Sequence, residues 1–157
     1  MKLKLSDYAS IAEIVSGLAV VITLVFLALE IRDNTEATRA DAFDRNISSL
    51  NEIRGWIANS PDLTRAWRAY ADGQSARLDE TELNRLGIVM VAIMGVYEKA
   101  YFARKAELIG DSEWSRFEPL VCGHYEASAR AGILKDWQSA ITTEFHAFIE
   151  ERCQTTP

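Results

Sequence analysis

Helix-breaking residues are scarce in this sequence. Its 157 residues include only three prolines and eight glycines, and neither type occurs between Gly17 and Gly55. A fold made of many short strands and turns needs more of both. The hydrophobic content of 48% also excludes a disordered chain. Together these features predict an all-α fold.

Basic residues are not in excess either. The net charge is −6, and the lysines and arginines are dispersed among aspartates and glutamates. Affinity for nucleic acid comes largely from Lys and Arg that neutralise phosphates. We therefore expect no nucleic acid partner.

Cysteine and histidine, at two residues each, are too few for a disulfide scaffold or a zinc site. Cys122 and Cys153 are expected to be small buried apolar residues, with a single bridge between them as the alternative. Cys122 and His124 are two residues apart and would point to different sides of a helix. No Glu-x-x-His pair and no glycine-rich phosphate loop occurs. We predict no catalytic residue, no metal and no cofactor, and hence no enzyme.

One long hydrophobic run lies near the N-terminus. Residues 14–29 read IVSGLAVVITLVFLAL without a charge, and residues 11–31 add only Glu13 and Glu30. The longer stretch would measure roughly 31 Å as a helix, against a hydrocarbon core of roughly 30 Å. It is apolar on every face, which a small domain rarely buries. The residues expected to face lipid are Ile14, Val15, Leu18, Val21, Ile22, Val25, Phe26 and Leu29.

A cleaved signal peptide fits this run poorly, since no small-x-small site precedes Glu30. Within the run, Ser16, Gly17 and Ala19 are small enough to let a second helix approach closely. We interpret these three residues as a candidate helix–helix contact.

The predicted organisation has five parts. They are an N-terminal tail (1–10), a transmembrane helix (11–31), an amphipathic stalk helix continuing from it (32–59), a small helical bundle (60–153) and a C-terminal tail (154–157). The apolar stripe of the stalk comprises Ala40, Phe43, Ile47, Leu50 and Ile57.

Local signals place the later helix ends. Ser60 before Pro61 and Asp79 three residues before Glu82 are N-cap patterns. Pro119 predicts a kink or a break. Gly132 is expected to end a helix, and Thr142 to cap the last one.

Residues 86–97 form a second uncharged run, too short for a span and typical of the central helix of a bundle. Glu98 follows it, on a helix that should be largely buried. A buried carboxylate must be paired, and an arginine is the expected partner. Glu98, Tyr101 and His124 form the candidate buried polar site, with a functional acid or ligand contact as the alternative.

The opening Ala12-Glu13-Ile14, the apolar run, then Leu27-Ala28-Leu29-Glu30-Ile31-Arg32 and Asn34-Thr35 resemble a family of small bacterial proteins that read AEI-(apolar)-LALQIR-x-NT. Ser60-Pro61-Asp62-Leu63 with Trp67, Tyr97-Glu98-x-x-Tyr101, and Gly110-Asp111 before Trp114 also match. The resemblance implies one N-terminal span, a helical domain and no established activity. Members usually carry basic residues after the span, which implies a cytoplasmic domain.

Membrane orientation from charge alone is a tie. Lys2, Lys4 and the amino terminus precede the run, while Arg32, Arg39 and Arg45 follow it. With the resemblance, the expected location is the bacterial inner membrane with a cytoplasmic helical domain.

The expected function is a non-enzymatic membrane-anchored interaction protein, with the lipid bilayer and a second copy of the chain as partners. One alternative is an accessory subunit of a larger respiratory or photosynthetic membrane complex. Another is a helical-bundle ligand sensor or enzyme that uses Glu98 and His124.

Overall fold

The structure is a computed structural model that describes residues 5–153, with side-chain surroundings from residue 13 onward. The described residues form seven α-helices, one short 3-10 helix and no strand, which confirms the all-α fold. The helices are α1 (Leu5–Ala58), α2 (Pro61–Ala71), α3 (Glu80–Lys105), α4 (Asp111–Trp114), α5 (Glu118–Ala131), α6 (Leu134–Gln138) and α7 (Thr143–Cys153), and the 3-10 helix is Ser75–Arg77. The predicted tail at 154–157 lies outside the described residues, as do residues 1–4 of the N-terminal tail.

The chain divides into two units between Arg39 and Ala40. The first unit contains the apolar run, and we call the second, from Ala40 onward, the helical domain. Helix α1 supplies residues to both units. It begins at Leu5, inside the stretch predicted as a tail, and it continues through 33–35 without a break.

The helix starts of the domain follow the local capping signals. The Ser60 hydroxyl accepts a hydrogen bond from the Leu63 N–H at the start of α2, directly before Pro61. Asp79 and Glu82 form a reciprocal capping box at the start of α3. These bonds satisfy N–H groups that have no partner within the helix. Both predicted caps are confirmed.

Pro119 marks a break between two helices. Helix α4 ends at Trp114, and Pro119 occupies the first turn of α5, where its missing N–H removes no helical hydrogen bond. Gly132 ends α5 in the left-handed region, with φ of 75°. This conformation is readily adopted by glycine and disfavoured for residues with a Cβ.

Helix α3 carries the second apolar run into the core of the helical domain. Leu86, Met90 and Met94 are completely buried. Helix α3 packs against α2, α4 and α6, and α5 packs against α2, α6 and α7. The largest fully buried side chains elsewhere in the domain are Trp114, Phe117, Trp137, Phe145 and Ile149.

The second half of α1 contributes Leu50, Ile53 and Ile57 to this core. The face of α1 that packs on the core therefore differs from the predicted stripe. It includes Ile53, which was not predicted, and it leaves out Ala40, which is exposed. Phe43 is the first residue of α1 packed on the core, 6.1 Å from the ring of Phe117. Part of the predicted stalk thus belongs to the helical domain.

Candidate functional site

The apolar run of α1 is uncovered on every side. Its large apolar side chains from Ile14 to Ile31 are 50–71% exposed, and no residue between 13 and 40 is buried. The exposed set includes every residue predicted to face lipid, namely Ile14, Val15, Leu18, Val21, Ile22, Val25, Phe26 and Leu29. Soluble monomers rarely expose an apolar surface of this extent.

The polar groups of the run are compatible with apolar surroundings. The Thr23 hydroxyl donates a 2.8 Å hydrogen bond to the backbone carbonyl of Ala19. The helix itself satisfies the backbone groups along the run, which is what a hydrocarbon environment demands. Charged side chains occur only at its ends, at Glu13 and Glu30.

In the part of the chain that the structure describes, two helices are long and apolar enough to cross a membrane by length and composition, within Glu13–Ala58 and Glu80–Lys105. Their surroundings differ. None of the most apolar window of α1 is buried, whereas half of the corresponding window of α3 is buried inside the protein. The uncovered run of α1 is therefore the stronger candidate for contact with lipid.

The candidate helix–helix contact lies on this uncovered surface. Ser16, Gly17 and Ala19 are all exposed. A Cβ placed on Gly17 would meet no atom within 4 Å. The first unit itself therefore leaves room beside Gly17.

His124 is enclosed by aromatic rings. The ring centroids of Trp67, Tyr97 and Tyr70 lie 5.6, 5.9 and 6.1 Å from its own. The Tyr70 hydroxyl donates to the His124 carbonyl at 3.1 Å and lies 3.2 Å from the Ser128 hydroxyl. Burial lowers the pKa of His124 to about 4, so the ring is neutral near pH 7.

Glu98 binds the start of the last helix. One carboxylate oxygen accepts a 2.6 Å hydrogen bond from the backbone N–H of Thr142, and the Thr142 hydroxyl caps α7 through the Phe145 N–H. Among the described residues Glu98 makes no ion pair with an arginine, contrary to prediction. The N-terminus of α7 offers an unsatisfied donor and a favourable dipole to a carboxylate.

Tyr101 packs against α7, with ring centroids 5.3 Å from Phe145 and 4.8 Å from Phe148. Its hydroxyl donates to Glu144, which also pairs with Lys105. Glu98 and Tyr101 thus both contact the beginning of α7, and the residues around His124 lie on α2, α3 and α5. The structure shows two separate sets of contacts where one buried site was predicted.

Cys122 and Cys153 form a disulfide. The expectation of two unlinked apolar cysteines is therefore wrong, and the alternative of a single bridge is correct. Helices α5 and α7 pack side by side, which brings the two Cα atoms within 5.0 Å although 31 positions separate them in sequence. This spacing suits a disulfide. The bridge also leaves Cys122 without the thiolate that nucleophilic catalysis requires.

No group of three or more His, Cys, Asp or Glu side chains within the described ranges is placed to hold a metal ion. One buried donor was not predicted from the sequence: the indole N–H of Trp137 has no hydrogen-bond partner among the residues that the structure describes. The Trp137 ring packs edge-on to the ring of Tyr125, with the centroids 6.3 Å apart.

No protein-family model matches the chain, and no curated protein or solved structure matches it either. The class that the structure defines is an all-helical protein with a long, apolar N-terminal helix that is a candidate membrane span.

Proposed function

We propose that this chain is a membrane-anchored helical interaction protein without catalytic activity. A single span at residues 11–31 holds a small helical bundle at the inner membrane of a bacterium. The observation that carries the proposal is the apolar run of α1, whose large side chains are at least half exposed throughout. Removal of such a surface from water is strongly favourable, and a lipid bilayer covers it on all sides.

The span is single because the apolar side chains of α3 have protein partners. Leu86, Met90 and Met94 are fully buried among the other helices. Their transfer to lipid would require the helical domain to open. A soluble core helix is the simpler role for this run, since neighbouring helices supply its apolar surroundings.

The non-enzymatic role is supported by what the candidate polar groups do. Glu98 accepts a hydrogen bond from the Thr142 N–H at the start of α7, Tyr101 packs against the core, and Cys122 is bridged. His124 stacks among three rings and lies 3.4 Å from the Tyr70 hydroxyl. Each of these contacts joins different elements of the fold, so a structural role accounts for each of these residues.

Self-association is proposed through the small residues Ser16, Gly17 and Ala19, of which Gly17 lies about 100° and Ala19 about 60° to either side of Ser16 around the helix. In lipid, helices associate by close packing and not by the hydrophobic effect, so small residues favour contact. The free space beside Gly17 would accept the backbone of a second copy.

Membrane anchoring is tested by fractionation of cells that express the full chain. We expect the protein in the membrane pellet after washes with alkaline carbonate and with urea, and its release only by detergent. Recovery in the carbonate supernatant would contradict a span, because this treatment strips peripheral proteins and leaves inserted helices in place.

Self-association is tested by light scattering of the protein in mild detergent. Gly17→Leu should convert a sharp oligomer to monomer, because the new side chain fills the close contact. Val25→Leu is the matched control, since position 25 points about 180° away from Ser16 and about 80° or more from Gly17 and Ala19. A monomeric wild-type chain would contradict self-association. A different protein that co-purifies at fixed stoichiometry would instead favour an accessory subunit.

A further inference from the structure

We infer that the helical domain lies on the oxidising side of the membrane, with the amino terminus in the cytoplasm and the Cys122–Cys153 bridge closed. This inference rests on the proposed membrane anchor and assigns the side on which the domain meets its partner. It is the reverse of the orientation implied by the sequence resemblance.

The first argument is the packing that brings the two cysteines together. On α5, Val121 is fully buried, and on α7, Phe145 and Ile149 are fully buried. Glu118, one turn before Cys122, pairs with Arg152, the residue next to Cys153. Helices α5 and α7 thus pack against each other through noncovalent interactions beside the disulfide. This packing places the two cysteine Cα atoms 5.0 Å apart in the folded domain.

The second argument is chemical. Closure of the bridge removes two protons and two electrons from the thiols. The acceptor would be a protein thiol–disulfide oxidoreductase in its disulfide form. A thiolate of this chain attacks that disulfide and gives a mixed disulfide, and the second thiolate then displaces the oxidoreductase as a dithiol. Such oxidants act in the periplasm and in secretory compartments, whereas the cytoplasm keeps thiols reduced.

The third argument is the balance of charge around the run. Lys2 and Lys4 precede it, and Arg32, Arg39 and Arg45 follow it. A difference of one basic residue gives the positive-inside rule little weight. The bridge therefore decides the orientation, because only a translocated domain meets the oxidant. Lys2 and Lys4 then lie on the cytoplasmic side, where the rule favours them, and the three arginines lie on the opposite side.

The orientation is tested with two reporters fused separately to the C-terminus of the full chain in a bacterium with a periplasm. Alkaline phosphatase is active only when exported, and green fluorescent protein fluoresces only when it stays in the cytoplasm. We expect active phosphatase and a dark fluorescent protein, both in the membrane fraction. The opposite pattern would overturn the inference. This readout uses the unaltered chain, so it does not depend on a variant that folds.

The bridge is tested on the same membranes after cells are quenched in acid. A polyethylene-glycol maleimide applied in denaturant should shift no wild-type chain before reduction and should add two labels after it, one for each of the two cysteines. Cys122→Ser is the control and should take one label without reduction. Two labels on the unreduced wild type would overturn the inference.

The two proposals fail in different ways. A chain that is absent from the membrane fraction would overturn the anchor and this inference with it. A chain that is anchored but has free thiols or a cytoplasmic C-terminus would overturn this inference alone.

Discussion

The two apolar runs of this chain have similar compositions and opposite surroundings. Residues 14–29 of α1 expose their large side chains by half or more, whereas Leu86, Met90 and Met94 in the run of α3 are completely buried. Both helices are long and apolar enough to cross a membrane. The difference teaches that hydropathy identifies a helix that must leave water, and the neighbouring elements decide whether protein or lipid covers it.

Three features of the neighbourhood separate the runs. The run of α3 is shorter, and helices α2, α4 and α6 pack around it. It is also followed at once by Glu98, whose carboxylate is engaged by Thr142. The run of α1 has no buried residue from 13 to 40. The contrast between a core helix and an uncovered one, and the domain built around the core helix, can be tested by substitution.

The largest effect is expected from truncation in the run of α3. Leu86→Ala should lower the free energy of unfolding by about 2–5 kcal/mol, because it leaves a cavity in a packed core. Leu24→Ala is the matched control, and at 61% exposure it should change this value by less than about 0.5 kcal/mol. Urea unfolding in detergent, followed by tryptophan fluorescence, measures both. All four tryptophans lie in the helical domain. Equal losses would contradict the contrast.

A charge in the run of α1 should weaken membrane insertion. Leu24→Arg places a guanidinium near the middle of the run, at a cost of about 2.5–3.5 kcal/mol for insertion. We expect roughly a hundredfold lower ratio of inserted to non-inserted chain in a glycosylation-based insertion assay. Ile88→Arg is the control, since Ile88 is 71% exposed within the run of α3. If Ile88→Arg reduces insertion equally, α3 contacts lipid.

Loss of the disulfide should destabilise the helical domain but not the anchor. Replacement of both Cys122 and Cys153 by alanine frees a loop of about 31 residues in the unfolded chain, which is expected to cost about 2–4 kcal/mol. Urea unfolding should show this loss, and membrane extraction should be unchanged. Reductant should reproduce the loss in the wild type and have no effect on the double variant. If reductant also lowers the free energy of unfolding of the double variant, the loss seen in the wild type does not come from this disulfide.

The free energy of unfolding should decrease as the pH falls from about 6.5 towards 4, because the folded domain resists protonation of His124. Its pKa is about 4 in the folded domain and about 6.5 when unfolded. Between these values the unfolded state binds more protons, so this contribution is intact above about pH 6.5 and declines towards pH 4. We expect a loss on the order of 2 kcal/mol.

The matching variant is His124→Gln. Its unfolding free energy, measured by urea titration from pH 7 to pH 4.5, should depend less on pH than that of the wild type. Equal pH slopes for the wild type and His124→Gln would show that folding does not lower the pKa of His124.

The smallest effect is expected at a helix cap. Ser60→Ala removes the acceptor for the Leu63 N–H and should cost about 1 kcal/mol. Ser48→Ala, at an exposed position inside α1, is the control and should stay within about 0.5 kcal/mol. The same urea assay separates them. No loss for Ser60→Ala would mean that water replaces the cap.

What the sequence predicted correctly was local. Ser60, Asp79 and Glu82 each accept a hydrogen bond from an N–H group three residues away, so their pattern can be read from nearby positions. Pro119 and Gly132 similarly act through their own backbone. The apolar runs are also visible in sequence, because composition alone distinguishes them from amphipathic segments.

What the sequence missed depends on how helices dock. Cys122 meets Cys153 only because α5 and α7 pack together, and no local pattern encodes that pairing. An arginine was the expected partner of Glu98, but the backbone N–H of Thr142 at the start of α7 donates to its carboxylate instead. His124 lies among rings from α2 and α3, so its surroundings were equally hidden.

The most direct test of the contrast is labelling of the full chain in vesicles with a photoactivatable lipid that carries its reactive group in the acyl chain, followed by mass spectrometry of the peptides. The account predicts lipid adducts within residues 14–29 and none within 86–97. Adducts in both runs, or in 86–97 alone, would contradict it.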